Sequence, residues 1–225
     1  LEAGLARRGA DDWPLEDRRM VATTCARCHG FDGKGRESGA FPNLALQDED
    51  YLADMLSDYA DGTKHSGIMQ TVAEWLTAEQ VDKLAAYYAS QPAGSPPGTD
   101  ASDDVVAAGR TLAIEGDPAR DVQACAGCDV TVAEYDDQPY FPVLAGQYEE
   151  YLDYRLKVWR SLRAPENVWN RMMSYQAHDL TDADIRAVSA FYASHSADAV
   201  RGMWDGMQDG ASGSGGTGGD GASGG

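Results

Sequence analysis

Cys25-Ala26-Arg27-Cys28-His29 decides the reading of this chain, because an altered copy, Cys125-Ala126-Gly127-Cys128-Asp129, follows one hundred residues later. Cys-x-x-Cys-His is the attachment signature of a c-type haem. The two-residue spacer lets one helical turn present both sulfurs to one porphyrin edge, where each forms a thioether with a vinyl group. The adjacent histidine then falls under the iron as its proximal ligand. The copy keeps both attachment sulfurs, Cys125 and Cys128, and puts Asp129 where the ligand histidine stood. All four cysteines lie in these two pairs, so no disulfide framework is left over. A redox disulfide or half a zinc site is the other chemistry of such pairs. His29 and a downstream methionine favour haem at the first.

The copy extends well beyond the cysteines. At an offset of 100, Phe41, Pro42, Leu44, Ala45, Gln47, Tyr51, Leu52 and Leu56 match Phe141, Pro142, Leu144, Ala145, Gln147, Tyr151, Leu152 and Leu156. The offset then becomes 104, pairing Met69, Leu76, Thr77 and Tyr88 with Met173, Leu180, Thr181 and Tyr192. Four residues are therefore inserted before the methionine of the second half. A repeat of this length means two copies of one domain. Gln91 to Asp104, rich in Pro, Gly, Ser and Asp, reads as the linker. Domains are expected at 1–92 and 105–204, on either side of a linker at 93–104. Residues 205–225, nearly all Gly, Ser, Ala, Asp and Thr from Gly206 on, are expected to form a disordered tail.

Each half reads as helical. Thr77 and Gln80 form a capping box before an apolar face of Val81, Leu84, Ala85 and Tyr88. Thr181 to Asp184 opens the twin, with Ile185, Val188 and Phe191 or Tyr192 inward. Further helices are predicted from Asp48 to Ala60, Gln147 to Leu162, Leu15 to Thr24 and Asp103 to Glu115. No alternating strand pattern appears, so the fold class is all-α. Domains of this size bury little apolar core alone, and a covalent haem would supply the missing centre.

The net charge of −19 and pI of about 4.3 disfavour nucleic acid and anionic membrane surfaces. They favour a partner with a basic docking patch or a salty or alkaline habitat, and solubility alone is the other reading. No apolar run of about 18 residues occurs, so no membrane span is predicted. Leu1 onward shows no signal-peptide pattern. Haem c is attached outside the bacterial cytoplasmic membrane, so a leader is expected to have been removed.

Reversible electron transfer wants a second axial ligand, and a soft thioether raises the potential. Met69, in Ser66-Gly67-Ile68-Met69, is the candidate in the first half; His65 is its competitor, Met55 reads as core and Met20 lies too close to the motif. In the second half the repeat register selects Met173 over Met172. His178, in the loop before the last helix, is a rescue ligand should Asp129 not serve. His195 looks exposed.

These motifs, with Phe41-Pro42-Asn43-Leu44, Gly67-Ile68-Met69, Phe141 to Gln147 and Asn170-Arg171-Met172-Met173, make the chain resemble the cytochrome c4 family. Those are dihaem proteins of two tandem class I cytochrome c domains. The resemblance covers about Asp12 to Ser194. It implies two all-α haem domains about a pseudo-twofold axis, haem c as cofactor and a periplasmic electron carrier. Redox proteins are the implied partners, such as a terminal oxidase or a dehydrogenase. A similar subunit occurs in flavocytochrome sulfide dehydrogenases. The break is at Asp129, where Asp129 to Tyr135 lacks the glycines of His29 to Gly35. Three states stay open there: haem with an unusual ligand, haem with an open face, or no haem and a Cys125–Cys128 disulfide. The leading function is a one-electron carrier, not an enzyme. The alternatives are a ligand-binding or catalytic second haem, and a cytochrome subunit of a larger dehydrogenase or oxidase.

Overall fold

The computed structural model describes residues 13–37, 39–129, 141–162 and 168–213. Helix α1 (Leu15–Met20) widens into a π-helical turn at Val21–Cys25 and passes directly into α2 (Ala26–His29). Single π-turns of this kind are frequent at functional sites. After a loop come α3 (Glu49–Ala60), α4 (Met69–Ala73) and α5 (Ala78–Ala89). The second half runs α6 (Asp103–Ile114), α7 (Ala126–Asp129), α8 (Glu149–Ser161), α9 (Val168–His178) and α10 (Asp182–Ser194). A last helix, α11, spans Ala197–Gly213. Among the described residues there is no strand; an isolated bridge joins Asp117 and Val122. None of these helices is long and apolar enough to cross a membrane.

The caps follow the sequence. Thr77 accepts from the Gln80 N–H at 3.3 Å and the Gln80 side chain accepts from the Thr77 N–H at 3.1 Å. Thr181 and Asp184 form the same box at 3.1 and 2.8 Å. Each box satisfies donors that a helix start would otherwise leave orphaned. Helix α5 then buries Val81, Leu84, Ala85, Tyr87 and Tyr88, the last four packed in one cluster with Val21 and Leu52. In the second half Ala113, Ile114, Leu152, Val188, Phe191 and Tyr192 make the matching core. Helices α6 and α10 cross so closely that a Cβ on Gly109 would meet the Ala187 carbonyl oxygen at 2.0 Å, so only glycine fits there.

The halves are related by a pseudo-twofold, and side chains display it directly. Gln47 accepts from the Val143 N–H at 2.9 Å and donates to the Val143 carbonyl at 2.8 Å. Its repeat mate Gln147 accepts from the Asn43 N–H at 2.8 Å and donates to the Asn43 carbonyl at 3.2 Å. Residues 43 and 143 are themselves repeat mates.

Several expectations need correction. The disordered tail does not begin at residue 205: α11 continues to Gly213 because Val200, Met203, Trp204 and Met207 form one apolar face against the second core. Composition hid that helical spacing. Residues 214–225 lie outside the described residues. His178 is the last residue of α9 rather than part of a loop, and α10 is not the last helix. Residues 91–102 carry no helix or strand, and α6 starts at Asp103, inside the stretch read as linker.

Candidate haem site

The widened turn ends on Cys25, and α2 carries Cys28 and His29 one turn on. No disulfide joins these cysteines, nor Cys125 to Cys128. Burial pushes the Cys25 thiol up to about 11, so the sulfur favours an uncharged state, which a thioether also is. His29 is 8 % exposed. Its Nδ1 lies 3.4 Å from the Pro42 carbonyl oxygen. A proton on Nδ1 donates to that carbonyl and leaves the Nε2 lone pair for a metal. Burial holds the imidazole pKa below its ordinary value, so the ring is neutral and able to ligate.

The loop after the motif is held from α5. The Tyr87 hydroxyl donates to the Phe31 carbonyl at 2.7 Å, and the Tyr88 hydroxyl donates to the Gly30 carbonyl at 3.3 Å. Burial raises the Tyr88 pKa, so its hydroxyl remains a donor. Gly30 closes α2 at φ +74°, a backbone state that favours glycine.

Met69 opens α4 and is half-buried, whereas His65 is exposed. The Ser66 hydroxyl accepts from the Met69 N–H at 3.1 Å, and the Gln70 side chain accepts from the Ser66 N–H at 2.9 Å. These paired bonds start the helix on the methionine.

Lys64 provides a test of fit. Its ammonium is half-buried, 2.6 Å from the Met55 sulfur and 5.6 Å from the Tyr59 ring centre. Among the described residues no carboxylate lies within ion-pair distance of it. Burial, and then Arg155 of the other half, pull its pKa down to about 8. The Met55 thioether is a weak acceptor and the Tyr59 ring attracts the ammonium only through its quadrupole, so neither neutralises the charge. A group bringing carboxylates suits this place, and haem carries two as propionates. The Cys pair, the free Nε2, Met69 and this cation together fit haem c.

The second site is only partly comparable. Cys125 is half-buried against the second core and Cys128 is exposed. Asp129 ends α7, but its side chain and residues 130–140 lie outside the described residues. Met173 lies inside α9, and both Met172 and Met173 are half-buried. Burial therefore does not choose between them. His178 is exposed and lies 2.9 Å from Asp179. His195 is not exposed as expected. Its Nδ1 lies 2.8 Å from the Phe191 carbonyl oxygen, and its ring rests on Phe191 with centroids 4.5 Å apart. Neither histidine of the second half is buried as His29 is.

Sequence reading did not find Pro42, Lys64, the two interface glutamines or Trp204 as parts of this arrangement. Pro42 and both glutamines were visible as repeat matches, but Pro42 acts through its backbone carbonyl and the glutamines through backbone groups distant in sequence.

Comparison with known proteins gives the family. The family described as Cytochrome c matches residues 18–91. A thiosulfate dehydrogenase electron acceptor of Thiomonas intermedia (strain K12) is 33% identical, covering 76% of this chain and 78% of its own. Cytochrome c4 of Azotobacter vinelandii is 32% identical, over 76% of this chain and 83% of its own. The crystal structure of reduced recombinant cytochrome c4 from Pseudomonas stutzeri superposes with a TM-score of 0.66 at 28% identity, over 80% of this chain and 97% of that one.

Proposed function

This chain belongs to the cytochrome c4 family, and we propose that it accepts single electrons from a thiosulfate-oxidising dehydrogenase in the periplasm. It is an electron-transfer cytochrome that binds haem c. The observation that carries the carrier role is His29, buried beside Cys25 and Cys28 with Nδ1 turned to the Pro42 carbonyl and Nε2 left over. Bound haem supplies a one-electron iron couple. Cys25 and Cys28 would anchor it, His29 and Met69 would ligate its iron, and Lys64 would offer a positive charge to its carboxylates. The thiosulfate donor is supported by the relative of that name. On this reading the chain is a carrier and not the enzyme: with His29 and Met69 both on the iron, the first site would have no open position for a substrate. The excess of 19 negative charges suits a donor with a basic docking face.

The test is reduction of the haem-loaded protein in a stopped-flow cuvette. Thiosulfate with a thiosulfate dehydrogenase is expected to reduce it, and thiosulfate alone is not. Reduction by thiosulfate alone would make the chain an enzyme.

A second reading attaches to the second half, where Asp129 replaces the ligand histidine. Carboxylate is a hard, weak ligand for haem iron and favours the ferric state. With haem on Cys125 and Cys128 and Met173 opposite, that site sits at lower potential and admits external ligands. Carbon monoxide binding to the reduced protein tests it.

A further inference from the structure

The interface glutamines do more than join two halves, because of what lies next to their partners. Gln147, on the second half, grips the backbone of Asn43 at both its N–H (2.8 Å) and its carbonyl (3.2 Å). Asn43 is bonded to Pro42, and the Pro42 carbonyl is the one facing His29 Nδ1 at 3.4 Å. Gln147 is 3 % exposed and Asn43 is 5 % exposed, so water does not compete for these bonds. The Asn43 side chain is committed as well. Its amide nitrogen donates to the Ala93 carbonyl at 3.2 Å, and its oxygen accepts from the Ala45 N–H at 3.1 Å. The segment carrying the Pro42 carbonyl is thus fixed from both sides, and one of its fixings comes from the other half of the molecule.

We propose that Gln147 is a positioning residue for the proximal histidine of the first haem, acting across the domain boundary through Asn43 and Pro42. The inference rests on the reading of His29 as that ligand. A primary amide is well suited to this role, since one side-chain group both accepts from and donates to the backbone of a single residue, as a neighbouring strand would. The hydrogen bond to Nδ1 sets the orientation and basicity of the imidazole, and so the balance between ferric and ferrous iron. A stronger bond makes the ring more basic and favours ferric iron. Gln147 holds the carbonyl where it can make that bond.

The interface itself contains the control. Gln47 makes the mirror contacts to Val143, at 2.9 and 2.8 Å. The neighbouring Pro142 has Asp129, not histidine, at the matching motif position. Removing either glutamine takes away two backbone hydrogen bonds from the same interface. Only removal of Gln147 reaches a histidine.

The test is redox titration of the first haem in the full haem-loaded protein, with His29 ring resonances followed by paramagnetic NMR. Gln147→Ala is expected to raise the potential of the first haem, shifting its ferrous-to-ferric ratio by about threefold, and to move the His29 signals. Loss of a direct ligand partner changes metal binding about tenfold or more, so an indirect one should act less. Gln147→Met keeps the length and bulk of the side chain, loses both hydrogen bonds without adding a charge, and should shift the potential in the same direction. It also serves if the alanine variant folds poorly. Gln47→Ala should leave the first potential and the His29 signals in place. Equal shifts from Gln47→Ala and Gln147→Ala would mean simple loosening of the interface and would overturn the proposal, as would no shift from either Gln147 variant. A parent spectrum without histidine–methionine ligation would instead overturn the reading of His29 itself.

Discussion

The indole of Trp204 lies over Gly127, so close that a Cβ on residue 127 would meet its ring at 3.3 Å. Gly127 separates Cys125 from Cys128, and the first motif has Arg27 at the same place. Helix α11 therefore lays Trp204 against the second motif at the position where the first carries the exposed Arg27. Trp204→Ala should cost the second half about 2 kcal/mol, below the range for a fully buried tryptophan because this one is half-buried. Gly127→Arg should destabilise it by about 1–3 kcal/mol through overpacking. Thermal unfolding followed at both haem bands checks this. Loss of the first-site spectrum in either variant, with the second intact, would contradict it.

Met69→Ala should remove the thioether from the first iron. The weak near-infrared sulfur-to-iron band of the ferric protein should vanish, and the potential should fall by on the order of 100 mV. An unchanged band would assign the ligand elsewhere. His29→Ala should be the more damaging change, because that ring also orients the haem during attachment.

Lys64 links the first site to pH. In the haem-free chain burial and Arg155 hold its pKa at about 8, against an ordinary 10.5, although the charge of Asp58 partly opposes them. The folded, haem-free chain then binds fewer protons than the unfolded chain between those values, so its stability rises with pH across that window. Haem carboxylates beside the ammonium push its pKa back up. A positive charge near iron favours the ferrous state. The potential of the loaded protein should therefore stay level through pH 8 and fall only above it, as the ammonium loses its proton. Lys64→Met should lower the potential at about pH 7 and abolish the alkaline fall. Identical pH profiles for parent and variant would place the ammonium away from the haem.

Asp129→His should raise the potential of the second site and suppress carbon monoxide binding there. Redox titration with two resolved spectra reads the first effect. Two low-spin haems of similar high potential in the parent would sink the idea. Haem content by intact mass reads the other limit: a variant that gains a haem the parent lacks makes the second motif a vestige.

Much of the architecture was legible along the chain because helix signals are local. Thr77 and Gln80 announce a cap within four residues, and Val81, Leu84 and Tyr88 announce a buried face at helical spacing. The offset repeat read the second half from the first. Helix α11 escaped because a glycine-rich composition masked its sparse stripe of Val200, Met203, Trp204 and Met207. His195 looked exposed because its partner, Phe191, lies one turn back on a helix whose packing is tertiary.

The haem motif, its altered copy and the preference for Met69 over its neighbours were read from residue identity and spacing, since covalent attachment and iron ligation depend on particular atoms at particular separations. Which carbonyl faces His29, what surrounds Lys64 and how Gln147 reaches Asn43 were decided by the tertiary structure alone. Those contacts use backbone groups that every residue carries, or charges whose cost depends on burial, and neither leaves a mark in the order of the side chains.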